Sequence, residues 1–138
     1  MTKYCKVLIV EDNQEIQELM SDVLASEGFD FVVTPDGDRA LQVLEDDDQL
    51  DIAIIDRHLP RGAGALSVAA AARAAGLGVI LVTGDHLQTD VLERSGHRYM
   101  LKPFRVTALM MLVDEVLAAA QRECKRRPPQ PDFGAAAA

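Results

Sequence analysis

The sequence predicts an α/β domain: a doubly wound, five-stranded parallel sheet with helices on both faces. Five short aliphatic runs alternate with five helical segments along the chain. The runs are continuously apolar and rich in β-branched residues, as strands buried on both faces are. Aromatics make up only 4% of residues against 49% apolar, so the core must be aliphatic, which suits Ala-rich helices lying close on a sheet. Strict alternation of strand and helix calls for right-handed crossovers between parallel strands.

Each element has a local reason. Val7-Leu8-Ile9-Val10 is the first strand, and after it Ile16, Leu19, Met20, Val23 and Leu24 repeat at three-and-four spacing, one helical face that stops at Gly28. Phe29 to Thr34 is the second strand, and Asp36 to Glu45 a helix carrying Ala40, Leu41, Val43 and Leu44. Ile52 to Ile55 is the third strand. A loop with Pro60, Gly62 and Gly64 leads to a thin helix from about Leu66 to Ala75, and Val79 to Val82 is the fourth strand. A short, weakly amphipathic helix spans roughly His86 to Arg94, and Tyr99 to Leu101 is the fifth strand. The last helix has the clearest pattern, a 3.6-residue stripe of Val106, Leu109, Met110, Val113, Val116, Leu117 and Ala120. Met111 and Leu112 lie off that stripe and are expected at the core edge or on a partner surface.

Composition narrows the function. A length of 138 residues corresponds to one domain with one core and leaves no room within it for a second. A net charge of −8 argues against general affinity for nucleic acid, which depends on neutralising phosphates. Cys5 and Cys124 read as free thiols of a reducing cytosol. No signal-peptide pattern opens the sequence, and the longest apolar stretch, Val68 to Thr83, is broken by Arg73, Gly76 and Gly78, so a cytoplasmic protein without membrane insertion is expected. The pattern stops near Lys125. Pro128, Pro129 and Pro131 exclude further helix, so residues 125–138, ending in Ala135 to Ala138, are expected to be a disordered tail.

The functional signal lies at the strand ends: Glu11-Asp12, Asp56, Thr83 and Lys102-Pro103. Ligands of open α/β sheets sit at the C-terminal edge of the strands, so these residues are expected to converge. Singly, each has an ordinary explanation: Asp12 as a helix N-cap with Glu15 completing a capping box, Asp56 and Thr83 as caps or turn residues, Lys102 as a loop lysine. Together they are the residue types that one chemistry requires. Carboxylates at 4 Å repel by about 4 kcal/mol per pair at an effective dielectric near 20, so three of them need a cation. Mg²⁺ suits such oxygen ligands, a carboxylate beside it can attack phosphorus, and a lysine and a hydroxyl can meet the phosphoryl oxygens.

With the acidic pair in VLIVEDNQ, the acceptor in IIDRHLPRGAG, the hydroxyl in LVTGD and the lysine in YMLKPF, residues 4 to 124 resemble the receiver domain of two-component response regulators of the chemotaxis CheY type. The resemblance implies the (βα)5 flavodoxin-like fold and a stand-alone, single-domain regulator of phosphorelay signalling. It implies Mg²⁺ held by Glu11, Asp12, Asp56 and the backbone carbonyl of His58. Asp56 would be the phosphoacceptor, Thr83 the hydroxyl that swings toward the phosphoryl group, and Lys102, before a cis bond to Pro103, its charge partner. Tyr99 matches the aromatic whose rotamer accompanies activation. His58 and Asp85 stand where phosphoryl lifetime is tuned, and Gly84 leaves access to the pocket. The implied partners are a histidine kinase or histidine phosphotransfer protein and a downstream protein, with no direct nucleic acid. The face from the fourth to the fifth helix would serve output and homodimerisation. Apart from self-catalysed phosphoryl transfer and autodephosphorylation, the chain would not be an enzyme.

Three positions depart from the family pattern. Glu11 replaces the usual Asp, keeping the charge but lengthening the arm, so that a water-bridged metal contact becomes an option. Ala63 stands where an Asp is common. The segment from Thr83 to Lys102 is short, which shortens the fourth helix of the implied output face. The rival readings are a haloacid-dehalogenase-type phosphohydrolase, which would need a D-x-D after the first strand; an FMN-binding flavodoxin-like module, whose phosphate the acids would repel; and a receiver-like docking module that is never phosphorylated.

Overall fold

A computed structural model describes residues 3–60, 62–86 and 89–128. The predicted sheet is present. Strands β2 (Lys6–Val10), β3 (Asp30–Thr34), β4 (Ile52–Asp56), β5 (Gly78–Thr83) and β6 (Arg98–Leu101) form one five-stranded parallel sheet in the order β3-β2-β4-β5-β6. Order reverses beside the first strand, which makes the cleft between β2 and β4 the topological switch point where such folds bind ligands.

The apolar runs conceal a two-residue period. Val7, Ile9, Ile54, Ile80 and Val82 face a core shared with helices α1 (Gln14–Ser26) and α5 (Val106–Ala119). Leu8, Val10, Ile55, Val79 and Leu81 face a second core against α2 (Gly37–Asp46), α3 (Ala65–Ala74) and Leu92 of α4 (Thr89–Arg94). Both faces are covered, which is why no polar residue interrupts these strands. Each fully buried Leu or Ile contributes about 1.5–3 kcal/mol of burial free energy.

Several local expectations are corrected. Asn13, rather than Asp12, caps α1, its side chain accepting the Ile16 amide at 3.1 Å, so the Asp12–Glu15 capping box is not formed. Leu19, read as part of the buried face of α1, is 57% exposed. On α5 the buried stripe is wider and shifted: Leu112 is buried, while Val106 is 40% and Met111 66% exposed. Helix α4 has only six residues, shorter than the predicted His86–Arg94 segment, of which Leu87 and Gln88 lie outside the described residues.

Cys5 and Cys124 form a disulfide across 119 residues of sequence, against the expectation of free thiols. The expected tail also does not begin at Lys125. A short strand β1 (Lys3–Tyr4) pairs in parallel with β7 (Cys124–Lys125), and Arg126 and Arg127 pair with Asp114 and Asp30. Periodicity could not announce a two-residue strand whose only partner is another two-residue strand 120 positions away. The rest of the predicted tail, residues 129–138, lies outside the described residues.

Asp51 anchors this N-terminal edge of the sheet. Its side chain is 1% exposed, binds Lys3, accepts the Lys6 amide at 2.9 Å and accepts Arg122 Nε at 3.2 Å. Arg122 reaches on to the carbonyls of Leu50 and Gly76. Removing the carboxylate leaves two cations and an amide without their partner, so Asp51→Ala is expected to lower stability by about 3 kcal/mol in urea unfolding. A loss under about 1 kcal/mol would contradict this anchoring role.

Candidate functional site

Register decides which residues meet. Val10 pairs with Ile55, so Glu11 and Asp56 are the next residues along two adjacent strands. Asp56 pairs with Val82 and Thr83 with Leu101, which brings Lys102 to the same edge, where its amide donates to the Thr83 carbonyl at 2.8 Å. Glu11, Asp56 and Lys102 share the strand parity of Ile9, Ile54 and Met100, so all three lie on the α1/α5 side.

One carboxylate oxygen from each of Glu11, Asp12 and Asp56 lies within 4.8 Å of the others. Lys102 Nζ stands 3.3 Å from Glu11 Oε1 and 3.5 Å from Asp56 Oδ2, at the end of a strand that continues into the cis Lys102–Pro103 bond. Ile9, Ile16, Met20, Ile54, Val82 and Phe104 line an apolar cleft beneath these charges. Gln17 of α1 donates to the Glu11 carbonyl, a tie that no sequence pattern signals. The loop after Asp56 is held from behind: Asp38 accepts the Ala63 amide at 3.0 Å, and a Cβ at Gly37 would lie 1.9 Å from the Ala63 carbonyl oxygen. Only glycine lets α2 approach that loop so closely.

The environment pushes the two inner carboxyls apart. Burial, then the hydrogen bond to Asp56 and the Asp56 charge, raise Glu11 to about 8 against the opposing pull of Lys102. Burial would also raise Asp56, but the hydrogen bond from Glu11, the His58 amide on Oδ1 at 3.0 Å and Lys102 together outweigh it, and Asp56 is held below the usual carboxylate range. Without a cation, Glu11 keeps a proton at neutral pH while Asp56 stays ionised. Glu11 Oε2 is buried and accepts no hydrogen bond from the protein. Once Glu11 gives up its proton, a buried carboxylate beside Asp12 and Asp56, with one oxygen that accepts no hydrogen bond, fits a divalent cation with oxygen ligands.

Thr83 and Tyr99 are placed differently. Thr83 shares the parity of Leu81 and leans toward the other face; its hydroxyl accepts the Asp85 amide at 3.0 Å and stands 3.5 Å from His58 Nε2. Tyr99 packs against the same face, and its hydroxyl donates to Glu93 of α4 at 2.8 Å. The structure thus brings together Glu11, Asp12, Asp56 and Lys102, and sets Thr83 beside His58 rather than against Asp56.

The profile of the response regulator receiver domain family matches residues 7–114. The transcriptional regulatory protein CpxR of Escherichia coli is 30% identical over 115 residues, covering 81% of this chain and 49% of CpxR. The DNA-binding response regulator MtrA of Mycolicibacterium smegmatis is 31% identical over 112 residues, 78% of this chain and 48% of MtrA. The chain therefore spans about half the length of these curated relatives. Among solved structures, the signal receiver domain of a modulated diguanylate cyclase from Desulfovibrio desulfuricans superposes with a TM-score of 0.76 at 25% identity, covering 86% of this chain and 98% of that one. The receiver domain of a sensor histidine kinase from Pseudomonas aeruginosa, solved with a magnesium ion in its active-site cleft, gives 0.73 at 25% identity, with 83% and 98% covered.

The raised Glu11 carboxyl makes a pH prediction. The folded chain holds this proton to about pH 8, whereas the unfolded chain releases it near 4.5, so metal-free stability falls as pH rises between those values. Glu11→Gln is expected to flatten this decline in urea midpoints measured across the range. Equal slopes in both proteins would show that Glu11 is not the group responsible.

Proposed function

The chain belongs to the response regulator receiver family, the phosphoryl-accepting module of two-component signalling, and from that premise we propose that Asp56 accepts a phosphoryl group from a histidine kinase or a histidine phosphotransfer protein. The observation that carries this reading is that Asp56 lies 3.5 Å from Lys102 and beside two further acids at one sheet edge. Its carboxylate oxygen attacks phosphorus as the bond from phosphorus to the donor's imidazole nitrogen breaks, and the departing imidazole takes up a proton. Lys102 meets the charge on the equatorial oxygens, and its ammonium is already directed at this edge.

Glu11, Asp12 and Asp56, with the His58 carbonyl, are the proposed Mg²⁺ ligands; the bound ion would draw the oxygens of donor and acceptor together and offset their charge. Binding must displace the Glu11 proton, so Mg²⁺ affinity should rise with pH toward about 8. Calorimetry in buffers of different ionisation enthalpy should detect release of a proton on Mg²⁺ binding near neutral pH; its absence would refute the assignment of Glu11.

The new phosphoryl charge biases a two-state equilibrium in which Thr83 leaves its partners, the Asp85 amide and the His58 ring, for the phosphoryl oxygens, and Tyr99 leaves Glu93. Acting as a single-domain regulator, the chain would signal through the surface of α4, β6 and α5, where Val91, Val106 and Met111 are exposed, to a downstream protein or a second copy. A cytoplasmic location follows from this role. Among the described residues no helix is long and apolar enough to cross a membrane.

Incubation with Mg²⁺ and phosphoramidate should add one phosphoryl group by mass spectrometry, and chelation of Mg²⁺ or Asp56→Asn should abolish it. Lys102→Ala should slow incorporation roughly a hundredfold or more. An unmodified wild-type protein would leave only the docking-module reading, and multiple turnover of a phosphomonoester would favour a phosphohydrolase instead.

A further inference from the structure

The end of the sheet opposite the carboxylate site carries a feature that phosphoryl transfer does not use. After α5 the chain turns back and crosses the corner between α1 and β3. There Cys5 donates its amide to the Lys125 carbonyl at 2.9 Å and Arg127 donates its amide to the Gly28 carbonyl at 2.8 Å. The crossing is close: Gly28 has φ +86°, and a Cβ there would lie 2.4 Å from the Arg127 carbonyl oxygen. Arg127 lies over the Tyr4 ring and binds Asp30 through both Nε and a terminal nitrogen; Arg126 lies over Phe29 and reaches Asp114 and Glu27. Besides the chain itself, a covalent cross-link joins this segment to the domain, the Cys5–Cys124 disulfide.

We propose that residues 124–128 are a redox-sensitive strap, closed in the disulfide form and released by a dithiol reductant. The inference rests on the fold alone and is independent of the phosphorelay reading. Two-residue strand pairing is marginal by itself, and the arginine ion pairs are partly or fully exposed to solvent and individually weak, so the disulfide dominates retention of the strap. The two sulfurs differ in access. Cys5 is 3% exposed within the α1/α5 core, whereas Cys124 is half-buried, so a reductant thiolate attacks Cys124 Sγ. A mixed disulfide forms at Cys124 while the sulfur–sulfur bond breaks, and Cys5 leaves as a thiolate that takes a proton. The second thiol of the reductant then displaces Cys124, which is protonated in turn. Both cysteines end as thiols and the dithiol as its own disulfide, a two-electron, two-proton exchange. Opening frees Lys125, Arg126 and Arg127 and uncovers Phe29, which is 3% exposed when the strap is closed.

Limited trypsin digestion of the full chain tests this, because Lys125 and Arg126 are cleavable while Arg127 precedes a proline. The air-oxidised protein should resist cut at these positions, and dithiothreitol should speed it by about tenfold or more while the remainder of the domain stays intact, as local opening requires. Cys124→Ser should be cut at the faster rate with or without reductant. Equal rates before and after reduction, with alkylation showing both thiols free, would overturn the proposal. So would general digestion of the reduced domain, which would mean global rather than local opening, or a thiol count of two in the air-oxidised chain.

Discussion

The charged site of this domain depends on the register of three successive parallel ladders. Parallel strands point their C-terminal ends the same way, and the pairs Val10–Ile55, Asp56–Val82 and Thr83–Leu101 bring residues 11, 56, 83 and 102 to a common edge. A slip of one residue in any strand would invert its side chains between the two cores, exchanging Ile9 with Val10 or Ile54 with Ile55. Both faces are sealed by helices, so such a slip is opposed by hydrophobic burial on both sides. The aliphatic core therefore positions the charges, although none of its residues takes part in the chemistry.

At that edge the balance of burial and charge separates two nearly equivalent carboxyls. Glu11 is 4% exposed and has an oxygen that accepts no hydrogen bond, while Asp56 also accepts the His58 amide and both carboxyls have Lys102 beside them. Glu11 keeps its proton, and the donors around Asp56 keep it ionised, the separation that its proposed role as phosphoacceptor requires. Lys102 stands within 3.5 Å of both carboxyls, and a bound cation would offset the charge that Glu11 gains on losing its proton. Strand parity also sets Thr83 and Tyr99 on the opposite face, so the proposed switch residues begin engaged with His58, Asp85 and Glu93.

The other end of the sheet obeys a different logic. Asp51 is buried but fully engaged by Lys3, Arg122 and the Lys6 amide, which ties the start of the chain to the stretch after α5. The strap from Cys124 to Pro128 continues that closure over Gly28. Chemistry and closure thus occupy opposite edges of one sheet, separated by the length of the strands.

Fold class, strand identities and the acids, hydroxyl and lysine at the strand ends were determined by sequence alone, because aliphatic runs and 3.6-residue stripes are local signals and the strand ends follow from them. Local pattern was weaker wherever two neighbouring residues could satisfy the same role. Asp12 and Asn13 could each cap α1, and only the chain's path showed Asn13 doing so, leaving Asp12 for the acidic cluster. Leu19 and Val106 changed sides because burial on a helix depends on what packs against it. The Cys5–Cys124 bond, the Asp51 anchor and the β1–β7 pair were decided by tertiary structure alone. Each joins residues far apart in the chain through single contacts with no period to read, and such contacts exist only once the sheet and its helices have brought the two ends together.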